Sequence, residues 1–229
     1  MSTETMIRAN LARVEERIAA ACARCGRPRS AVELLCVTKQ RPDEALRALL
    51  AEGQRAFGEN RVQEVRDRVP AFPPGIEWHF IGSLQTNKVK YLPGLIQVVH
   101  SADRIELVEA LQKAWEKRPE LPSLRILLQF NIAEEAQKHG AGRTEAEALL
   151  SAALECPRLV VDGLMAMAPF GDDPEAARPV FGALRGLRDH LSQRFGVPLP
   201  HLSMGMTGDY EVAIEEGSTM VRVGTALFE

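Results

Sequence analysis

The chain has no surplus of positive charge: 28 basic residues stand against 31 acidic ones, for a formal net charge of −3. That removes the electrostatic reason to expect nucleic acid as a partner, because a phosphate backbone selects basic surfaces. It also lacks any apolar run of the ~18 residues a membrane-crossing helix needs. The opening stretch, MSTETMIRANLARVEERIAAACARCG, is charged throughout and has no apolar signal-peptide core. No membrane association and a cytoplasmic location are therefore expected. Linkers, low-complexity tracts and internal repeats are missing as well. A single domain spanning residues 1–229 is the expectation, with residues 1–25 as a helix before the first strand.

Metal ligands are scarce too. Cys22 and Cys25 make a C-x-x-C, but the chain has only two further cysteines, Cys36 and Cys156, and no second C-x-x-C or paired-histidine cluster. A structural zinc site needs four ligands. Ile7, Leu11, Val14, Ile18, Cys22 and Cys25 step by four or three, which draws one apolar helical stripe. Core packing explains the cysteines without a metal.

What the chain does have is alternation. After Gly26 and Pro28 end the first helix, short apolar runs alternate with longer amphipathic stretches. The runs lie at 34–37, 55–58, 78–81, 96–99, 125–130, 159–161, 201–204 and 220–223. Helical stretches are expected near 42–53, 60–69, 144–154, 174–195 and 209–216, with a short one after Gln85. Asp103 and Glu106 have the spacing of a capping box before the stripe of Leu107, Val108, Leu111 and Trp115. Strict β/α alternation implies a parallel sheet. Eight units in so short a chain imply a closed (β/α)8 TIM barrel, with a doubly wound sheet as the alternative.

Barrel active sites form at the C-terminal ends of the strands. The first run ends in Thr38-Lys39, and Leu35, Val37 and Lys39 share one face by the period of two. If that face is the interior, Lys39 tops the lumen, is desolvated, and offers the neutral amine that a Schiff base with an aldehyde requires. A surface lysine just past a strand end is the plainer alternative. The seventh and eighth loops carry Ser203, Gly205, Thr207, Gly208, Gly224 and Thr225. Barrels often hold phosphate there, on glycine backbone and hydroxyl donors, although ordinary βα turns look the same. Arg222 sits between Val221 and Val223; if the valines face outward, it points inward and needs a partner. A ring nitrogen or a carboxylate would serve.

Taken together these residues resemble the YggS/PROSC family of pyridoxal phosphate homeostasis proteins. The most specific stretch is Trp78-His79-Phe80-Ile81-Gly82-Ser83-Leu84-Gln85-Thr86-Asn87-Lys88. Phe57-Gly58-Glu59-Asn60, Gly163-Leu164-Met165-Ala166-Met167 and Ser203-Met204-Gly205-Met206 also match. The resemblance implies a barrel similar to the alanine racemase N-terminal domain, with pyridoxal 5′-phosphate (PLP) as cofactor. It implies Lys39 as the Schiff-base lysine, Ser203, Gly224 and Thr225 around the phosphate, and Arg222 facing the pyridine nitrogen. Asn60, His79 and Met165 would line the pocket. Thr207 stands where serine is common in the family and keeps the hydroxyl; Arg61 stands where tyrosine is common.

A racemase of this barrel type needs two bases, the second a tyrosine from a further β domain. This sequence ends four residues after Thr225, and its tyrosines are Tyr91 and Tyr210. The expectation is a non-catalytic, monomeric PLP carrier that hands cofactor to apo-enzymes. The alternatives are a PLP-dependent racemase and, less economically, a sugar-phosphate enzyme.

Overall fold

The computed structural model describes residues 2–133, 139–169 and 171–229. Eight strands close into a barrel in chain order: β1 (Glu33–Val37), β2 (Ala56–Glu59), β3 (Glu77–Phe80), β4 (Val98–Ala102), β5 (Leu124–Phe130), β6 (Leu159–Ala166), β7 (His201–Ser203) and β8 (Met220–Val223). Every pairing is parallel, including the closure of β8 onto β1, where Leu35 stands beside Arg222. The TIM barrel expected from the alternation is the fold observed.

The period of two divides each strand between two cores. Leu34, Cys36, Phe57, Trp78, Phe80, Val99, Ile126, Leu128, Val221 and Val223 belong to one large apolar cluster with the helices. The alternate residues fill the lumen in two small clusters, Leu35 with Ala56 and Met220, and Val98 with Leu127 and Met165. Burial on this scale contributes roughly 1.5–3 kcal/mol for each large apolar side chain. Since Val221 and Val223 face the helices, Arg222 points into the barrel, as the alternation requires.

The outer ring is made by α2 (Asp43–Ala51), α3 (Val62–Arg68), α4 (Ile105–Glu116), α5 (Ala146–Leu154), α6 (Arg178–Phe195), α7 (Tyr210–Glu215) and α8 (Thr225–Phe228); a 3-10 segment, Thr86–Tyr91, takes the place of a helix between β3 and β4. The preceding helix, α1 (Thr3–Arg24), packs on α2, α7 and α8 and so covers the seam where β8 meets β1. Ile7, Leu11, Val14, Ile18 and Cys22 are buried along its stripe, and Cys25 is half-buried. No group of metal-ligand type among the described residues includes a cysteine.

Two local expectations fail. Asp103 does not cap α4: Arg104 is the N-cap and Asp103 pairs with its guanidinium instead. A charged neighbour outcompetes the backbone amides for that carboxylate. The sixth strand is also longer than its apolar run, because Gly163 carries it onward. Gly163 has φ +153, and a Cβ there would lie 1.9 Å from the His201 carbonyl oxygen. Glycine lets β6 and β7 approach, and the register of β6 against β5 shifts just there. That approach sets Met165 beside Ser203.

Candidate functional site

A cavity of about 560 Å³ opens at the C-terminal end of the barrel, between the β1 loop and the loops after β6, β7 and β8. Lys39, Thr207, Gly208, Asp209, Gly224 and Thr225 line it, together with Val37, Gln40 and Arg41. The β1 loop turns sharply past the lysine: Gln40 has φ 58, a left-handed conformation costly for a residue with a Cβ. Arg68 of α3 holds that turn. It donates to the Thr38 carbonyl (3.0 Å), the Arg41 carbonyl (2.6 Å) and Asp43 (3.0 Å), and pairs with the buried Glu59. The Thr38 hydroxyl donates to the same Glu59 carboxylate at 2.6 Å. Four bonds from one guanidinium, and a fifth to its partner carboxylate, thus fix the chain on both sides of Lys39.

Lys39 itself is exposed. The desolvated lysine expected at the top of the lumen is therefore not what the protein alone provides. β1 ends at Val37, and the two residues that follow carry the amine out to the cavity's rim. Water reaches it freely there.

Below the cavity a run of hydrogen bonds crosses the lumen. His79 Nδ1 lies 2.8 Å from His100 Nε2, and His100 Nδ1 lies 2.9 Å from Ser203 Oγ. Arg222 donates through Nη1 to Ser203 Oγ and to the Ser203 carbonyl, both at 2.7 Å, and through Nη2 to the Ala166 carbonyl at 3.1 Å. All four side chains are buried. Burial pushes the His79 imidazole down to about 4 and holds His100 well below the ordinary range. It pushes the Arg222 guanidinium down to about 10, with Asp209 partly offsetting the effect. At neutral pH the run is two neutral imidazoles and one hydroxyl ending on a cation. Arg222 forms no ion pair among the described residues; its hydrogen-bond partners there are two carbonyls and a hydroxyl. Its Nε–H makes no hydrogen bond among them.

The structure brings Lys39, Thr207, Gly224 and Thr225 around one cavity, with Ser203 and Arg222 in the lumen under the β7 and β8 loops. Gly208 faces open space: a Cβ there would meet nothing within 4 Å. Gly205 has a different task. Its φ is +96 and a Cβ would come within 2.6 Å of Ala213, so it serves the packing of α7 and not an approaching anion. His79 and Met165 lie in the lumen, away from the cavity wall; His79 communicates with it through His100 and Ser203. Asn60 lines a separate cavity of about 480 Å³ with Arg61, Ser83 and Lys88, and its Oδ1 is buried without a hydrogen-bond partner. Sequence reasoning passed over His100 and Arg68. The one sits at the end of an apolar run and the other in a helix of charged residues, and only the closed barrel brings them to the site.

A closed parallel barrel with a lysine at the rim of β1 and hydroxyl-bearing loops after β7 and β8 is the alanine racemase N-terminal class of barrel. The family model for the alanine racemase N-terminal domain matches residues 9–229. Within that class the chain belongs to the family of pyridoxal phosphate homeostasis proteins. It is 45% identical to the pyridoxal phosphate homeostasis protein of Aquifex aeolicus (strain VF5), over 95% of each chain. To that of Escherichia coli (strain K12) it is 42% identical, over 96% of this chain and 94% of the relative. The structure of PipY of Synechococcus elongatus PCC7942 with PLP bound superposes with a TM-score of 0.80 at 33% identity, covering 94% of this chain and all of that one (100%).

Proposed function

We propose that this protein holds PLP as a reversible Schiff base on Lys39 and serves PLP homeostasis as a carrier, without catalytic turnover. The observation that carries this reading is the cavity itself. A primary amine stands on one side of it, with Thr207, Gly208, Gly224 and Thr225 on the loops after β7 and β8. About 560 Å³ is within the ~300–1,000 Å³ typical of cofactor pockets. The empty space in front of Gly208 leaves backbone open to a phosphate, and Arg222 beneath has a guanidinium N–H to spare. These features fit PLP, as does the bound PLP of the Synechococcus relative.

PLP, when bound, supplies an aldehyde that condenses with an amine, a carbon–nitrogen double bond forming as water leaves. The chain's own residues do the rest. Thr207, Thr225, Ser203 and the glycine backbone would hold the phosphate, Arg222 would serve the ring nitrogen, and Asn60, His79 and Met165 would shape the surroundings from further off. A cationic donor at the ring nitrogen keeps that nitrogen unprotonated and makes a poorer electron sink. Exposure of Lys39 favours exchange with free amines and weakens electrostatic catalysis, which needs water excluded. Neither Tyr91 nor Tyr210 lines the cavity, so no tyrosine among the described residues faces Lys39 as a second base. We expect a cytoplasmic monomer that delivers PLP to apo-enzymes.

The test is spectroscopic. Addition of PLP to the wild-type protein should produce a visible absorption band that is missing in Lys39→Ala. Borohydride should then fix the cofactor's mass on the peptide containing Lys39. Labelling spread over other lysines, or no band at all, overturns the assignment. Solvent-deuterium exchange at the α-carbon of any amino acid above that of free PLP would overturn the carrier reading in favour of a racemase.

A further inference from the structure

The mouth of the barrel opposite the Lys39 cavity carries charged side chains that neither the fold nor the proposed cofactor site uses. Glu33 opens β1 and Glu77 opens β3, and the period of two turns both inward, below Leu35 and His79. One carboxylate oxygen from each and one ring nitrogen of His79 all lie within 4.8 Å of one another. His79 Nε2 lies 3.7 Å from Glu77 Oε2.

Acidic side chains at a barrel mouth are ordinary. The histidine is not. His79 is wholly buried, and its Nε2 has no hydrogen-bond partner. A buried polar atom left unpaired is costly, and native proteins rarely leave one without a reason. This one is aimed between the two carboxylates. Glu33 adds to the case, because its side chain forms no ion pair and no hydrogen bond among the described residues. Glu77 keeps only one oxygen for the cluster, since Arg125 holds the other and also reaches toward Asp162 (3.5 Å). Among the described residues, the carboxyl groups of Glu33, Glu77 and Asp162 at this mouth outnumber the Arg125 guanidinium that pairs with them, so a cation has charge to meet.

We propose that Glu33, Glu77 and His79 bind a divalent transition-metal cation of the zinc class at the N-terminal mouth of the barrel. One imidazole nitrogen with two carboxylate oxygens is a donor set for zinc, cobalt or manganese rather than for calcium or magnesium, which prefer oxygen alone. Ligand atoms around zinc stand about 3.3 Å apart at bond lengths of about 2.0–2.1 Å. The 3.7 Å pair is nearly there already, and the half-exposed glutamates can rotate the remaining distance. Water from the open mouth completes the coordination.

The supporting shell is in place. Histidines that ligate a metal through one nitrogen are oriented by a hydrogen bond from the other. His79 Nδ1 has that bond, to His100 Nε2 at 2.8 Å. With Nε2 on the metal, the proton of His79 must sit on Nδ1 and be donated to His100. His100 then donates from Nδ1 to Ser203 Oγ, which accepts from Arg222 as well. Without a metal, the Ser203 hydroxyl is free to donate to His100, and the whole run points the other way. Occupancy of the mouth therefore has a signature at His79 that a merely charged rim lacks.

The experiment uses the full chain, stripped with chelator and titrated with Co²⁺ or Zn²⁺ alone, without PLP. Uptake of one equivalent with a cobalt d–d band is expected, together with movement of the His79 proton from Nε2 to Nδ1 in nitrogen-15 spectra. Glu33→Gln should weaken binding at least tenfold; this side chain has no partner to lose, so the variant folds whatever becomes of His79→Gln. A Cys22→Ser/Cys25→Ser double variant should bind as the wild type does. No uptake overturns the proposal. So does uptake that survives Glu33→Gln or that disappears with the cysteines.

Discussion

Arg222→Met separates what the buried guanidinium does for the fold from what it does for a ligand. Arg222 is 4% exposed and meets no carboxylate; Asp209 acts on it only from a distance. Burial pushes its guanidinium down to about 10, a cost on the order of 3 kcal/mol for keeping a cation out of water. Against this stand its hydrogen bonds to Ser203 Oγ, the Ser203 carbonyl and the Ala166 carbonyl. At about 1–1.5 kcal/mol net for each of the three bonds, these offset about 3–4.5 kcal/mol. The two sums nearly cancel. Methionine fills most of the same volume without the charge, so Arg222→Met should change stability by no more than about 2 kcal/mol. Arg222→Ala leaves a void as well and should cost about 2–4 kcal/mol more. Urea unfolding at pH 7, followed by fluorescence of the buried Trp78 and Trp115, measures both variants. PLP titration of the same samples should show the methionine variant binding at least tenfold more weakly. A methionine variant that loses more than about 4 kcal/mol would make the arginine a structural keystone and refute this accounting.

Glycine substitutions should sort by what the missing Cβ faces. Gly208→Ala should leave stability within about 0.5 kcal/mol and weaken PLP binding, whereas Gly163→Ala should cost more than about 3 kcal/mol in a urea melt through its clash with His201. Arg68→Ala leaves Glu59 buried and unpaired and should cost about 3–5 kcal/mol; amide exchange at residues 38–43 should quicken, and PLP should bind less tightly as the Lys39 turn loosens. Asp209→Asn should tighten binding of the phosphate, because it removes a carboxylate from the cavity wall. Burial raises the Asp209 carboxyl above its ordinary 3.8, so its contribution to stability is complete below that value and is lost as pH rises through the folded one. Acid titration of the wild type against the variant should show their stabilities diverging in that sense, and parallel curves would refute it.

The barrel was legible because its signal is local. Each strand declares itself within three to eight residues, and alternation separates Val221 and Val223 from Arg222 without knowledge of any neighbour. Lys39, Thr207, Gly224 and Thr225 were legible for the related reason that a barrel sends the end of every strand to one face. What escaped depends on partners far apart in the chain. His100 is 21 residues from His79 and 103 from Ser203, and Arg68 is 30 residues from the carbonyl it holds. No window on the sequence contains those pairs. The exposure of Lys39 escaped for a subtler reason. Period-two reasoning holds only while the chain remains a strand, and β1 stops two residues before the lysine. A left-handed Gln40 and the grip of Arg68 then decide where the amine goes.

That placement gives the two halves of the site different mechanical character. Ser203 and Arg222 belong to strands and are cross-linked through His100 to a third, so moving one would break bonds inside a closed sheet. Lys39 belongs to a turn held from outside by side chains of α3: Arg68, and Glu64, which accepts from the Gln40 N–H at 3.4 Å. A displacement of the floor is therefore felt by the closed sheet as a whole, while a perturbation of the turn can change how Lys39 is presented and leave the barrel standing. Arg68→Lys is the discriminating case. One ammonium can keep the charge against Glu59 but cannot reach Thr38, Arg41 and Asp43 in the fork geometry of a guanidinium. Such a variant should recover most of the stability lost in Arg68→Ala and little of the PLP affinity. Recovery of both together would mean that the turn and the barrel are one cooperative unit.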